Sequence, residues 1–239
     1  MIRTTAATAL VGLGLIAAAT TAPTVSAAPV HMPAPIPTFT FTSHLETLLV
    51  EPRRLTRITG AEAPMSAVAS LTDLVEGSKD LSPGECGGAF EPARRGAYDD
   101  SGFTGVAVQI AVDGKPGKAK HMVTQAVISF ADVDTAFEHL NKAAESWAAC
   151  GGRTVTYTTA TGEQRRWRLG EPELRRDKTV LAQMQTGRNG SCERVMSASA
   201  PAGAAVIADV MVCDFSGAEP TGQAEAIAVS ITSNAQREQ

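Results

Sequence analysis

The most distinctive polar patch of the chain is the pentapeptide Gln-Arg-Arg-Trp-Arg at residues 164–168. On a strand, Arg166 and Arg168 would share one face, and Arg165 and Trp167 would share the other. An arginine pair is suited to hold a carboxylate or a phosphate, and an indole ring is suited to stack on a ring or a sugar. The pattern therefore predicts a ligand contact at Arg166, Trp167 and Arg168. The alternative is an exposed strand face with a half-buried tryptophan.

A second polar group is Tyr98, followed directly by Asp99 and Asp100. These side chains are suited to the rim of a polar cleft, so Tyr98 joins the predicted ligand-binding residues. The same Asp-Asp-Ser-Gly sequence is also typical of a simple turn.

Catalytic and metal-binding patterns are missing from the sequence. The four histidines, His31, His44, His121 and His139, include no pair at a metal-binding or catalytic spacing. The helix around His139 lacks the second histidine of a zinc protease, and no nucleophile elbow, P-loop or dinucleotide fingerprint occurs. We therefore expect no enzymatic activity, no metal and no cofactor. A hydrolase with an unfamiliar site is the alternative.

The four cysteines are Cys86, Cys150, Cys192 and Cys213. Residues 192–200 and 205–215 are both strand-like, and a hairpin centred on the loop 201–204 places Cys192 opposite Cys213. Opposed residues of an antiparallel pair lie within the distance that a disulfide accepts. The remaining pair, Cys86 with Cys150, follows by elimination. An even number of cysteines of this kind is typical of an exported protein.

The N-terminus has the pattern of an export signal. One basic residue, Arg3, precedes the apolar run 9–19, and small residues follow up to Ala27. The run is shorter than the roughly 20 apolar residues of a membrane span, so we predict a signal peptide at 1–27, cleaved after Ala27. An uncleaved anchor is the alternative. No cysteine precedes Cys86, so we expect no lipid anchor and, after cleavage, no stable membrane attachment.

The remaining chain is predicted to hold a Pro-rich tether at 28–42 and one folded domain at 43–236. The net charge of −4 gives no basic face for nucleic acid. Ser43 and Glu46 match a capping box that opens a short helix, which we expect to end at Glu51-Pro52. Residues 65–75 are interpreted as a second helix.

The later elements are clearer. Residues 106–112 and 121–130 predict a hairpin. An apolar stripe from Val133 to Trp147 predicts a helix that is capped by Asp132 and ends before Gly151. Further strands are predicted at 154–159, 166–169, around Leu174 and at 180–184, and a last helix at about 221–235. The pattern favours an α+β fold with an antiparallel β-sheet flanked by helices and held by two disulfides.

Several of these segments together resemble the PknH-like extracellular sensor domain of mycobacteria and their relatives. The resemblance rests on Leu-Ser-Pro-Gly-Glu-Cys at 81–86, Ala-Tyr at 97–98, Ser-Trp-Ala-Ala-Cys at 146–150, Cys-Glu-Arg at 192–194 and the strand 206–213. It implies the same disulfide pairing, first with second and third with fourth. It also implies a sheet flanked by helices around a cleft that takes an unidentified ligand.

The sequence analysis therefore predicts an exported, non-catalytic sensor-like domain that binds an unknown small ligand in the cell envelope or outside it. The alternative is a structural or protein-interaction module of the envelope. Because the sequence carries no kinase domain, we expect the protein to act through a partner, such as another envelope protein, to buffer a ligand, or to have another role.

Overall fold

One ten-stranded sheet forms the centre of the computed structural model, which describes residues 44–77, 81–115, 117–159, 162–200 and 205–237. The predicted signal peptide, the tether, the capping residue Ser43 and the loop 201–204 lie outside the described residues. The strands are β1 Met65–Leu71, β2 Leu81–Ser82, β3 Phe103–Asp113, β4 His121–Phe130, β5 Thr154–Thr158, β6 Gln164–Leu169, β7 Glu173–Arg175, β8 Val180–Gly187, β9 Gly190–Ser199 and β10 Ala205–Asp214. The helices are α1 Pro52–Thr59, α2 Gly87–Phe90, α3 Arg95–Tyr98, α4 Val133–Cys150 and α5 Gln223–Arg237, with 3₁₀ helices at Leu45–Leu48 and Gly84–Cys86.

The spatial order of the strands is β1-β3-β4-β10-β9-β8-β6-β5-β2, with β7 also paired to β8. The pairings between these strands are antiparallel. The predicted α+β fold with an antiparallel sheet and flanking helices is therefore confirmed.

The hairpin of β9 and β10 has the predicted register. Cys192 lies opposite Cys213, and a disulfide joins them with their Cα atoms 4.0 Å apart. The second disulfide joins Cys86 to Cys150, with a Cα separation of 5.6 Å. It attaches the last turn of α4 to the 3₁₀ helix Gly84–Cys86, so both predicted pairs are confirmed.

Helices pack on both faces of the sheet. On one face α4 packs its predicted stripe against the sheet, and its buried members Ala136, Leu140, Ala143 and Trp147 belong to one core cluster. On the other face α5 buries Ala224, Ile227, Ala228 and Ile231 in a second cluster. All ten residues of β10, which lies between β4 and β9 inside the sheet, are buried.

The helix α4 begins where the sequence predicts. The Asp132 side chain accepts hydrogen bonds from the backbone N–H and the hydroxyl of Thr135, at 2.8 and 2.9 Å. These bonds satisfy donors that the first turn of a helix leaves without partners.

Two predictions near the beginning of the domain were wrong. Residues 65–71 form β1, not a helix, because their pairing with β3 at the edge of the sheet outweighs a weak local preference. The predicted short helix is present as the 3₁₀ helix Leu45–Leu48, which ends before Glu51. Pro52 was expected only to end this helix, but it begins a further helix, α1, since the first helical position needs no backbone N–H donor. That helix ends at Gly60, whose φ of 67° is in the left-handed region.

Among the described residues, no helix is both long and apolar enough to span a membrane.

Candidate ligand-binding cleft

A cavity of about 600 Å³ opens on the same face of the sheet as α4, beyond the part that α4 covers. Alternate residues of a strand point to the same face, and seven strands contribute such residues to its floor. The floor residues are Ile110 and Val112 of β3, Met122 and Thr124 of β4, Met211 and Cys213 of β10, Cys192 of β9, Gln185 of β8, Arg165 and Trp167 of β6 and Tyr157 of β5. We call this cavity the cleft. Its lining is mainly apolar, and the Cys192–Cys213 disulfide lies in its floor.

The wall between the cleft and α4 is the segment 87–93, which contributes Phe90, Glu91 and Pro92 to the cleft. Buried polar side chains of the sheet hold its backbone in place. The Gln185 amide donates to the carbonyls of Ala89 and Phe90 at 2.9 and 3.2 Å. The position of this wall therefore depends on side chains that the sheet supplies.

The strongest of these supports is an ion pair between Arg194 and Asp209, both 0% exposed. Besides Arg194, the Asp209 carboxylate accepts the backbone N–H of Ala93 at 2.8 Å and the Tyr98 hydroxyl at 2.9 Å. The Arg194 guanidinium also lies 4.8 Å from the centre of the Trp147 ring. This network joins the hairpin of β9 and β10 to the wall and to α3.

Tyr98 is a member of that network and is only 1% exposed. Burial, together with the negative charge of Asp209, raises the pKa of its phenol well above the ordinary value. The hydroxyl therefore stays protonated and donates to Asp209.

One polar atom of the cleft floor has no hydrogen-bond partner among the described residues, namely Oε1 of Gln185. Its orientation follows from the neighbouring atoms, because the amide nitrogen faces the two carbonyls of Ala89 and Phe90.

The cleft continues at one end into a second cavity of about 680 Å³ with a more basic lining. Both cavities share Arg165, Trp167, Asn189 and Phe215. Arg166 and Arg188 line the second cavity, which we call the basic end. Arg165 pairs with Glu163 at 3.1 Å, whereas exposed Arg188 has no ion pair to another described residue.

The four predicted ligand-binding residues do not line one common cavity. On β6, Arg166 and Arg168 are exposed and Trp167 is buried, as expected of alternating faces. Trp167 lines the cleft and the basic end, and Arg166 lines the basic end. Arg168 lines neither cavity, and Tyr98 lies in the buried network. Their role in binding stays a prediction.

Sequence reasoning missed most of the cleft floor. The alternation of residues along a strand could have indicated that Ile110, Met122 and Met211 lie on one face of the sheet. It does not tell which part of that face α4 covers and which part stays open. In the described part of the chain, no group of three or more His, Cys, Asp or Glu side chains could hold a metal ion.

His139 of α4 lies on the other side of the wall, where it is 6% exposed and stacks on Tyr98 with ring centres 4.4 Å apart. Burial lowers its pKa from 6.5 to about 4, and the positive charge of Lys142 adds to this effect while Asp209 opposes it. The imidazole is therefore neutral in the folded protein at pH 7.

This lowered pKa predicts a dependence of stability on pH. The unfolded chain binds a proton at His139 below about pH 6.5, and the folded protein binds it only near pH 4. The contribution of His139 to the free energy of unfolding is therefore complete above its pKa in the unfolded chain. It falls as the pH drops, by about 2 kcal/mol between pH 7 and pH 5. Urea unfolding of His139→Phe at the two pH values should lack this loss. The control His44→Phe, at an exposed histidine, should retain it. An equal loss in both variants would contradict the assignment.

Comparison with known proteins identifies a family and relatives that match most of the chain. The model of the PknH-like extracellular domain family matches residues 42–234. Over 212 residues, or 88% of this chain, 27% of residues are identical to the serine/threonine-protein kinase PknH of Mycobacterium bovis. A shorter match, 39% identical over 80 residues and 32% of this chain, is to the serine/threonine-protein kinase PknJ of Mycobacterium tuberculosis. The chain covers only 33% of the length of the Mycobacterium bovis PknH.

A solved structure has the same fold. The crystal structure of the extracellular domain of PknH from Mycobacterium tuberculosis superposes with a TM-score of 0.70 and 24% sequence identity. The match covers 81% of this chain and 95% of that domain.

Proposed function

The chain belongs to the PknH-like extracellular domain family, and from this premise we propose that it is an exported, non-catalytic sensor-like domain that binds a small amphipathic ligand in the cleft. The observation that carries the proposal is the open cleft of about 600 Å³ with an apolar floor. Ligand pockets are typically concave and mainly apolar, with a few polar groups that orient the ligand.

The lining of the two cavities suits a ligand with an apolar body and an anionic head group. Ile110, Met122, Met211 and Trp167 offer an apolar surface to the body of the ligand. The basic end supplies cationic side chains, of which Arg188 has no ion pair to another described residue. Arginine is suited to bind a carboxylate or a phosphate through two parallel hydrogen bonds.

Export is part of the proposal. The signal peptide at 1–27 and its cleavage after Ala27 stay predictions, because these residues lie outside the described part of the chain. Membership of an extracellular domain family supports a location outside the cytoplasm. In the described residues both disulfides are formed and no cysteine is free, which is compatible with an oxidising compartment.

The alternative, a protein-interaction module, has less support from the surface. Among the described residues the exposed large apolar side chains are Val68, Leu71, Leu174 and Val229. They are divided among β1, β7 and α5. Interaction sites of soluble proteins are usually larger contiguous apolar patches.

The proposed function predicts that the protein binds decanoate and does not bind decyltrimethylammonium, which has the same chain length and the opposite charge. Isothermal titration calorimetry measures both.

Ile110→Glu places a carboxylate in the apolar floor and should weaken decanoate binding at least about tenfold, because an unpaired charge there is costly to bury. The double variant Arg165→Gln/Arg188→Gln should weaken binding several-fold and reduce its dependence on salt.

Matched controls lie on the same molecule. Leu71→Glu makes a comparable apolar-to-acidic change on exposed β1, and Arg176→Gln removes an exposed arginine that pairs with Glu225 outside the cleft. Both should bind decanoate like the wild type. Undiminished binding by Ile110→Glu would contradict the cleft as the site, and equal binding of the two amphiphiles would contradict the anionic head group.

A further inference from the structure

A separate cavity of about 540 Å³ is lined by residues of α1 and of the end of α5. It shares no lining residue with the cleft or with the basic end. Its lining includes Arg53, Arg54 and Arg57 of α1 and Arg237 of α5. Glu51 contributes one carboxylate, so the arginines leave the lining with an excess of positive charge. We call this cavity the α1 cavity.

The three arginines of α1 are neighbours on the exposed side of the helix. Arg57 follows Arg54 by three residues and Arg53 by four, and residues at these spacings lie side by side on a helix surface. All three are exposed. The other side of α1 buries Leu55, which is 0% exposed and belongs to a core cluster. The arginines are therefore presented by a helix that the core holds in place.

The stability of α1 does not explain this arrangement. Arg53 and Arg54 lie in the first turn, which contains no acidic residue. The N-terminal end of a helix carries a partial positive charge, so cations are unfavourable there. Only Arg57, in the last turn, is well placed with respect to the helix dipole. Like charges at these spacings also repel each other. The cluster therefore points to a role outside the helix.

The arginines of α1 have no counter-charge in the described part of the chain. No described carboxylate forms an ion pair with Arg53, Arg54 or Arg57, whereas the exposed Arg153 pairs with Glu85 at 2.9 Å. The net charge of the whole chain is −4. A basic cluster in an acidic protein is not a consequence of overall composition.

The sequence around α1 offers few further carboxylates. The chain has no Asp or Glu before Glu46, and Glu62, which follows α1, pairs with Lys120 at 3.1 Å. Glu238 follows Arg237 directly in the sequence. The excess of positive charge therefore belongs to the three arginines of α1 and not to Arg237.

The chemistry of the lining favours a phosphate group. A guanidinium binds a carboxylate or a phosphate through two parallel hydrogen bonds. A phosphate carries more charge than a carboxylate and has three strong acceptor oxygens, so it can satisfy several guanidiniums at once. Among the described residues that line the α1 cavity, none is aromatic. A ligand would therefore be recognised by its phosphate and not by a stacked ring.

We propose that the α1 cavity is a second binding site, which takes the phosphate group of a soluble phosphorylated compound or of a phospholipid through Arg53, Arg54 and Arg57. Asn234 accepts a hydrogen bond from Arg237 and keeps this fourth guanidinium beside the cavity. The site is independent of the cleft, so either proposal stands if the other fails.

The test uses the whole chain with the substitutions Arg165→Gln and Arg188→Gln, which remove two of the arginines that line the basic end. Isothermal titration calorimetry measures the binding of pyrophosphate and of glycerol 3-phosphate. Sedimentation measures retention on phosphatidylglycerol vesicles, with phosphatidylcholine vesicles as the reference. We expect saturable binding of a soluble probe or retention on the anionic vesicles, and a loss of either as salt is added.

Replacing the arginines of α1 makes the test specific. The triple variant Arg53→Gln/Arg54→Gln/Arg57→Gln should fold, because the three side chains are exposed and glutamine is a good helix former. It should lose at least about tenfold in affinity, since three charged donors are removed. Lysine at the same three positions keeps the charge but not the paired donors, and should restore only part of the binding.

A matched control removes the same number of charges elsewhere. Three other exposed arginines pair with carboxylates and lie outside the α1 cavity. The control variant is Arg153→Gln/Arg175→Gln/Arg176→Gln. It should bind the phosphate probes like the unsubstituted background, because the change in net charge is the same and the site is intact.

Each outcome decides a part of the proposal. Binding of a soluble probe that the α1 triple variant loses supports a soluble ligand, and vesicle retention alone, lost in the same variant, supports a lipid head group. The absence of both would overturn the proposal. Binding that the α1 and control variants weaken equally would overturn the site. Tighter binding of citrate than of pyrophosphate would overturn the choice of phosphate.

Discussion

Asp209→Asn is expected to lower the free energy of unfolding by about 3–5 kcal/mol, because it leaves the buried guanidinium of Arg194 without a counter-charge. The wild-type carboxylate receives donors from Arg194, Tyr98 and the backbone N–H of Ala93. An asparagine can accept through only one side-chain atom, so at least one of these donors also loses its acceptor. Urea unfolding monitored by circular dichroism measures the effect.

Two further variants test whether the unpaired charge of Arg194 causes the loss of stability. Arg194→Met in the Asp209→Asn background removes the uncompensated charge, so we expect the double variant to be more stable than Asp209→Asn alone. Glu138→Gln breaks the exposed pair with Lys142 and should cost less than about 1 kcal/mol. If Asp209→Asn lowered the free energy of unfolding as little as Glu138→Gln, the buried ion pair would not support the fold.

The second large effect is expected from the disulfides. Replacing Cys86 and Cys150 by alanine should destabilise the domain by about 4 kcal/mol, and replacing Cys192 and Cys213 by about 3 kcal/mol. The difference follows from the lengths of chain that the bonds close, since the sequence separations are 64 and 21 residues. A bond across a longer loop removes more conformational freedom from the unfolded chain.

Each disulfide variant is the control for the other, because both replace two buried cysteines by the same residue. Chemical denaturation of both should rank the Cys86/Cys150 variant as the less stable. The reverse order would mean that packing in the folded state, and not loop closure, dominates the contribution of these bonds.

The centre of the fold could be predicted because its signals are local and agree with one another. The loop at 201–204 and the strand-like residues on either side were sufficient to place Cys192 opposite Cys213, as observed. The cap at Asp132 and the apolar stripe of α4 likewise depend on neighbours within a few turns. Such features follow from periodicity and capping, which a sequence displays directly.

The edge of the sheet could not be predicted in this way. In β1 only Met65 is buried, so the strand lacks the alternation that identifies a half-buried sheet. Its conformation is determined by hydrogen bonds to β3, some forty residues away along the chain. A single sequence contains little information about such long-range pairing.

The candidate sites were predicted only in part for a related reason. The residues 164–168 stood out because their composition is unusual, and Trp167 does line the cleft. The cleft floor, in contrast, consists of ordinary strand residues such as Ile110 and Met211. They line a cleft beside a wall whose backbone is bonded to Arg194, Asp209 and Gln185, and that arrangement is tertiary.

The complete burial of β10 has a consequence for the exchange of backbone amide protons with deuterated solvent. Every residue of this strand is buried, and it pairs with β4 on one side and β9 on the other along its length. Its amide protons should therefore exchange only when the whole domain opens, whereas those of the exposed strand β7 should exchange through local fraying. The slowest exchange rates of β10 then report the global free energy of unfolding under fully native conditions, without any denaturant.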